Sequence, residues 1–142
     1  MDTDTHPAPA RRHRQLPFAE DAMPVSEGLA FIRRALADWH LVAEQAGQDA
    51  QLVAAELLTN AVRHGGGALA LDVVQRRTRL RISVTDPGPA TDLPLPEGHR
   101  PGQIGGYGLV IIDRLALRWG VFPEGPGKTV WADLLLAPEG PV

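Results

Sequence analysis

The sequence predicts a single α+β domain that combines amphipathic helices with a β-sheet of one buried face. The chain has 142 residues, 44% of them hydrophobic and 22% charged, which suits one globular unit with its own core. Two early segments carry apolar residues at helical spacing, and two later segments alternate apolar and polar residues as strands do. Helices and half-buried strands therefore belong to the same domain.

Composition excludes several classes of protein. The formal charge of −3 gives no basic field to attract DNA or RNA. The chain has no cysteine, which rules out disulfides and thiolate chemistry and suits a reducing cytoplasm. No apolar run is long enough to span a membrane, and residues 1–14 lack the apolar stretch of a signal peptide. We therefore expect a cytoplasmic protein that binds neither nucleic acid nor membrane.

The amino terminus divides into a tail and a short strand. Residues 1–13 are rich in Pro, Ala, His and Arg without periodicity, which predicts a disordered tail before a domain at 14–137 and a second tail at 138–142. Leu16 and Phe18 alternate with other residues and predict a strand at 15–19, at a sheet edge because Pro17 lacks an amide donor. An exposed edge strand is a natural dimer surface, so a homodimer stays open.

Two helices follow. Ser26 is a plausible N-cap for a helix over 27–39, whose apolar stripe indicates core packing. Gly47 is expected to interrupt the chain, and Asp49 to cap a second helix that runs to His64.

The second helix carries the pattern around which the rest of the chain is organised. At about 100° per residue its polar and apolar side chains separate onto two sides. The first side holds Glu56, Asn60, Arg63 and His64, and the second holds Ala54, Leu57, Leu58, Ala61 and Val62. The helix runs directly into Gly65-Gly66-Gly67. This order fits a nucleotide site, and it fits a surface helix with a glycine C-cap equally well.

Two predicted strands, 68–74 and 79–85, form a hairpin that ends in an acid. The segment after it reads Asp86-Pro87-Gly88-Pro89-Ala90, which is either a simple turn or an acid that accepts the amino group of a flat ligand lying against glycine. A cluster of arginines predicts a solvated turn and outer sheet face, comprising Arg76, Arg77, Arg79 and Arg81.

The last third of the chain supplies a loop, a glycine box and two strands. Residues 89–104 contain four prolines and no periodicity, which favours a lid or binding loop. Gly105, Gly106 and Gly108 precede a helix predicted over 110–117, whose amino end would stabilise a phosphate through free backbone N–H groups. Strands are predicted at 118–122 and 128–136, with Trp119 and Trp131 packing the sheet.

Taken in order, these boxes resemble those of a known family. The segments ELLTNAVRHG, VTDPGP, GGYGLVIIDRLALRWGV and GKTVWADL are similar to those of the GHKL ATPase superfamily, which has the Bergerat fold. More narrowly, the chain resembles small actinobacterial ATP-binding proteins similar to anti-sigma factor serine/threonine kinases. The resemblance implies a two-layer sandwich, with helices on one face of a mixed, mostly antiparallel sheet and ATP held under a mobile lid.

The resemblance also implies roles for individual residues. Glu56 matches the acid that polarises the attacking hydroxyl, and Asn60 the residue that holds Mg²⁺ against the phosphates. Asp86 matches the adenine-reading acid, and Gly88 the glycine that approaches the base. The other matches are Gly106 and Gly108 with Leu109 in the phosphate-wrapping box and Thr129 near the base. By helix geometry, Arg63 and His64 lie next to the phosphate side.

The chain departs from the family pattern at both glycine boxes. The first box ordinarily reads DxGxG, whereas Ala90 stands here in place of the second glycine. The second box carries Tyr107 where related proteins have arginine, so a phosphate-contacting cation would come from Arg100, His99 or Arg63.

Three functions follow as hypotheses. The first is an ATP·Mg²⁺-dependent kinase that phosphorylates a serine or threonine of an anti-sigma factor antagonist and also sequesters a sigma factor. The second is a nucleotide-responsive protein-binding module without phosphotransfer, which the altered first glycine box favours. The third is a domain that retains the fold without a ligand.

Overall fold

A computed structural model describes residues 11–90 and 109–136. They form a two-layer α+β fold in which three helices cover one face of a five-stranded sheet of order β1-β2-β3-β5-β4. The elements in chain order are β1 (Arg12–Pro17), α1 (Pro24–Asp38), α2 (Gln45–His64), β2 (Ala70–Arg76), β3 (Arg79–Asp86), α3 (Leu109–Leu115), β4 (Arg118–Glu124) and β5 (Gly127–Leu135). The predicted fold class is confirmed. We expected a mixed, mostly antiparallel sheet. All four described strand pairs are antiparallel.

The sheet has two faces of different character because successive side chains of a strand point in opposite directions. In β3 the burial alternates without exception. We call the face toward the helices the inner face and the opposite one the outer face. On β3 and β5 the inner face carries Leu80, Ile82, Val84, Asp86, Lys128, Val130, Ala132 and Leu134.

The core lies between the inner face and the helices. Helices α1 and α2 pack against each other, and α2 also contacts β3, β5 and α3. The helical side chains and small residues that are fully buried there include Ile32, Ala35, Leu36, Ala50, Val53, Ala54, Leu58, Leu109 and Ile112. Burial of apolar area on this scale is the main force that holds the helix layer on the sheet.

The predicted edge strand is present, but its first and last residues differ from those predicted. β1 is an edge strand, as Pro17 predicted, and Pro123 lies in the other edge strand, β4. β1 begins at Arg12, inside the segment expected to be a disordered tail, because Arg12 and His13 pair with Gln75 and Val74 of β2. The strand also ends two residues before the predicted Ala19.

Both long helices start earlier than predicted. Helix α1 begins at Pro24 after Met23, and the Met23 amide donates a hydrogen bond to the Glu27 carboxylate at 2.9 Å. Proline suits the first turn of a helix because that position needs no amide donor, so Ser26 lies inside the helix and is not its cap.

Gly47 does not interrupt the chain. It is a buried residue in the first turn of α2, where a side-chain carbon would overlap the Leu41 carbonyl. Glycine allows this close contact, which offsets its cost in helix propensity of about 1 kcal/mol.

The remaining differences are small. The β2–β3 turn is tighter than predicted, spanning Arg77 and Thr78, and α3 ends at Leu115. Val62 was expected in the core but is 45% exposed. At this turn of α2 its neighbour Ala61 is the residue that faces the interior. Trp39 and Trp119 are buried as predicted. Of the predicted lid at 89–104, residues 91–104 lie outside the described residues.

Candidate functional site

The carboxyl end of α2 is where the helix layer meets the end of β3. The Gly65 amide caps the helix by donating to the Asn60 and Ala61 carbonyls, at 3.2 and 3.0 Å. Gly66 and Gly67 have φ angles of +84° and +119°, which side-chain-bearing residues rarely adopt. Gly65 has an ordinary φ of −99°. It is needed for a different reason, since a Cβ there would lie 2.5 Å from the Asp86 Cγ.

Asp86 is the buried acid at the end of β3. Only 2% of its surface is exposed. Its Oδ1 accepts a hydrogen bond from the Gly88 amide at 2.8 Å, closing a turn of the type that Asp favours. The structure thus places the predicted base-reading acid against the end of the helix that carries Glu56 and Asn60.

Lys128 is the residue of this site that the sequence analysis missed. It is directly opposite Asp86 in the β3–β5 register, so both side chains lie on the inner face. The Lys128 Nζ donates to Asp86 Oδ1 at 2.8 Å, and only 1% of the residue is exposed. The strand parity of the segment GKTVWADL groups Lys128 with the apolar Val130 and Ala132, but parity alone does not say which residue of β5 stands opposite Asp86.

Thr129 lies elsewhere. As the next residue in β5 it points to the outer face, where its hydroxyl is 2.9 Å from that of Thr85 and 3.5 Å from a Glu124 carboxylate oxygen. The structure therefore does not bring Thr129 to the Asp86 cluster, because one step along a strand reverses the side-chain direction.

Asn60 and Glu56 occupy the same side of α2, four residues apart. Asn60 is 6% exposed. Its Nδ2 is the one buried side-chain nitrogen or oxygen in residues 11–90 and 109–136 without a hydrogen-bond partner. Glu56 is half-buried. A buried amide group without a partner costs about 1–3 kcal/mol, which marks Asn60 as a position for a ligand or water.

The other predicted site residues are distributed as follows. Arg63 and His64 are exposed on the last turn of α2. Leu109 opens α3 with its side chain fully buried in the core, so that side chain packs the domain. The predicted site residues Arg100, Gly106 and Gly108, and with them His99 and Tyr107, lie outside the described residues.

A second charged cluster lies on the outer face. Asp133 accepts hydrogen bonds from Arg81 at 2.7 and 3.0 Å and from Arg118 at 3.2 Å. Burial by itself would raise the pKa of Asp133, but the bonds from the two guanidinium groups outweigh it and hold that pKa below its usual value. Arg81 also lies 4.1 Å from the centroid of the Trp131 ring. Of the arginines predicted on a solvated turn and outer face, Arg76 and Arg77 are exposed, whereas Arg81 belongs to this ion cluster.

The residues present fit a nucleotide with Mg²⁺ better than a metal alone. In the two described segments no three His, Cys, Asp or Glu residues are grouped to hold a metal ion. Mg²⁺ commonly takes one or two protein oxygens and completes its shell with phosphates and water. The Asn60 carboxamide, buried with its nitrogen unpartnered, suits that arrangement.

The comparison with known families identifies the domain. The family model of the histidine kinase-like ATPase domain matches residues 18–133. The chain belongs to this family, the ATPase superfamily whose motifs the sequence resembles. Membership implies ATP binding, typically with Mg²⁺. No curated protein matches the chain significantly. Among the described helices, none is long and apolar enough to cross a membrane.

Proposed function

We propose that this protein binds ATP with Mg²⁺ and phosphorylates a serine or threonine of an anti-sigma factor antagonist. In the same proposal it sequesters a sigma factor in the cytoplasm when the antagonist is modified. The observation that carries the proposal is the geometry of α2. One helix presents Glu56 and the Asn60 carboxamide, whose Nδ2 has no partner in the described part of the chain, and its capping Gly65 packs directly on Asp86.

The spacing along α2 separates two tasks. Glu56 lies nine residues before Gly65, which is about 13 Å along a helix axis at 1.5 Å per residue. The base end of a nucleotide is thereby assigned to Asp86 and Gly88, and the phosphate end to Asn60 and Glu56. A ligand extended along the helix would contact both groups.

Each residue has a defined chemical task. Asn60 supplies a carboxamide oxygen for a hard cation and an N–H donor for a phosphate oxygen. Glu56, half-buried one turn earlier, accepts the proton of the attacking hydroxyl. Bound ATP·Mg²⁺ supplies the transferable phosphoryl group and the charge neutralisation on which such transfer depends.

Label transfer tests the kinase. The full chain is incubated with Mg²⁺, γ-labelled ATP and candidate antagonist proteins, alongside Glu56→Gln and the control Glu44→Gln. Glu44 is an acid at the opposite end of α2. We expect labelled antagonist with wild type and Glu44→Gln, and a loss of at least 100-fold with Glu56→Gln. Absence of transfer to every antagonist tested, with ATP bound, would refute the kinase.

A nucleotide-responsive binding module is the second candidate. It is favoured by Ala90 in place of the second glycine of the first box and by the neutralisation of Asp86 by Lys128. In this case Glu56→Ala leaves the ATP affinity unchanged in calorimetry and no turnover is seen with wild type. A nucleotide-dependent gain of at least tenfold in partner affinity would then identify the module.

A further inference from the structure

The buried ammonium of Lys128 carries an inference beyond ATP binding as such. We propose that Lys128 reads the purine: its Nζ donates a hydrogen bond to the ring nitrogen N1 of adenine, while Asp86 accepts one from the neighbouring N6 amino group. This inference rests on the proposed binding of ATP at this site.

One carboxylate oxygen of Asp86 remains available to a ligand. Its Oδ1 already accepts two hydrogen bonds, from Lys128 and from the Gly88 amide, both at 2.8 Å. An oxygen with two lone pairs is then saturated. No described residue donates a hydrogen bond to Oδ2. A ligand amino group would therefore be accepted by Oδ2.

Two N–H donors of Lys128 remain available to a ligand. An ammonium has three N–H donors, and Asp86 takes one of them in the described part of the chain. Since the residue is 1% exposed, bulk water has little access to the other two. A buried donor without an acceptor is costly, so an acceptor on a ligand would be bound favourably.

The backbone packs tightly against the Lys128–Asp86 pair. A Cβ on Gly88 would lie 2.9 Å from Lys128 Nζ, and one on Gly65 would lie 2.5 Å from Asp86 Cγ. Two glycines thus bring bare backbone against the ammonium and the carboxylate. Because the β3–β5 register also fixes both strands, the acceptor and the donor are presented side by side in a set order.

That order matches the N1 edge of adenine. Adenine presents an N6 donor next to the N1 acceptor, which complements an Oδ2 acceptor next to an Nζ donor. A carboxylate alone reads only the amino group, whereas the pair reads both positions. Guanine presents an acceptor and then a donor at the corresponding atoms, so a preference for GTP over ATP would overturn the proposal.

Atom-replaced nucleotides test it on the unaltered protein. The affinities of the full chain for ATP and for 1-deaza-ATP, in which N1 is a C–H group, are measured by calorimetry with Mg²⁺. Loss of a hydrogen bond from a buried charged donor corresponds to about a 10- to 100-fold weaker affinity for 1-deaza-ATP. Purine riboside triphosphate, which lacks the N6 amino group, tests Asp86 in the same way.

A variant then assigns the effect to Lys128. Lys128→Met removes the ammonium with little change in length, and we expect it to bind ATP and 1-deaza-ATP with affinities equal within twofold. If this variant does not fold, the wild-type comparison still decides. Equal affinities of wild type for the two nucleotides would overturn the role of Lys128 and leave the proposed function intact. Failure of ATP itself to bind at millimolar concentration would overturn both.

Discussion

Two buried aspartates lie on the same sheet and are neutralised in different ways. Asp86 faces the helix layer and pairs with a single cation, Lys128. Asp133 faces outward and pairs with two cations, Arg81 and Arg118. Both carboxylates have at most 3% of their side chains exposed. Burial of the acid therefore does not distinguish them.

Exposure of the partner does distinguish them. The Lys128 side chain is 2% exposed, whereas those of Arg81 and Arg118 are 38% and 57% exposed. If the outer pair is broken, the guanidinium groups regain water, whereas a Lys128 left alone on the inner face has little access to it. The Asp86–Lys128 pair is therefore kept together by burial of both partners, which suits a binding site. The Asp133 cluster has solvated partners, which suits a surface.

The largest effect is expected when one member of the inner pair is removed. Lys128→Met leaves the Asp86 carboxylate buried with only the Gly88 amide as donor, and we expect unfolding free energy to fall by about 3–5 kcal/mol. Urea denaturation followed by circular dichroism measures it. Asp86→Leu combined with Lys128→Met should recover much of the loss, because no charge is left buried. A double variant as unstable as Lys128→Met would show that packing, and not charge, dominates.

The next effect concerns the glycine that contacts the inner pair. Gly65→Ala places a carbon 2.5 Å from the Asp86 Cγ, and we expect a loss of about 1–3 kcal/mol together with at least tenfold weaker ATP binding. Gly28→Ala is the matched control, since its added carbon meets the Leu58 side chain at 2.5 Å in the core. The control should be destabilised yet bind ATP normally. If both variants changed ATP affinity equally, Gly65 would not be part of the ATP site.

A smaller effect is expected in the outer cluster. Asp133→Asn keeps the shape of the side chain and removes its charge, and the two arginines are partly solvated. We expect a loss of about 1 kcal/mol, as for other partly exposed ion pairs, and an unchanged affinity for ATP. Chemical denaturation and calorimetry measure the two quantities. A loss as large as that of Lys128→Met would contradict the difference drawn between the faces.

Acid titration sharpens the same contrast. Because the folded pKa of Asp133 lies below the unfolded value of 3.8, its pairing contributes stability that is fully present above that value. The contribution is lost as the pH falls through the folded pKa. The difference in Tm between wild type and Asp133→Asn should therefore be constant above about pH 5 and should shrink below 3.8. A difference that grows at low pH would reverse the assigned sign.

The smallest stability effect is expected at Asn60, because its Nδ2 has no hydrogen-bond partner to lose among the described residues. Asn60→Leu replaces the unpartnered carboxamide with an apolar group of similar size, so we expect Tm to stay within a few degrees of wild type. Mg²⁺-dependent ATP binding should be abolished in calorimetry. A loss of several kcal/mol in stability would show that Asn60 is a structural residue.

Much of this arrangement could be predicted from local patterns. The alternation in 79–85 predicted the buried and exposed sides of β3, and Pro17 predicted an edge strand, because both depend on backbone chemistry close in sequence. The helix bounds were less predictable. Gly47 was misjudged because a tertiary contact outweighs its general tendency to interrupt helices. Ser26 was misjudged as an N-cap because the helix already begins at Pro24.

The candidate site was predicted only in part. Glu56, Asn60 and Asp86 were predicted from motif order, as was Gly88, and the structure brings Asp86 to the end of the helix that carries the other two side chains. Lys128 was missed and Thr129 was chosen instead, because the choice between them depends on which residue of β5 stands opposite Asp86. That register is set by pairing between segments 42 residues apart in the chain.

By itself the sequence determined the kind of domain and its apolar faces, and it predicted the residues proposed to bind a nucleotide. These follow from periodicity and residue type, which act locally. Only the tertiary structure decided that a lysine faces the buried acid, that Thr129 points away from it and that Gly65 is needed for contact with a carboxylate. The physical reason is that strand register and close packing are properties of pairs of distant segments, and one residue of register reverses the direction of every side chain.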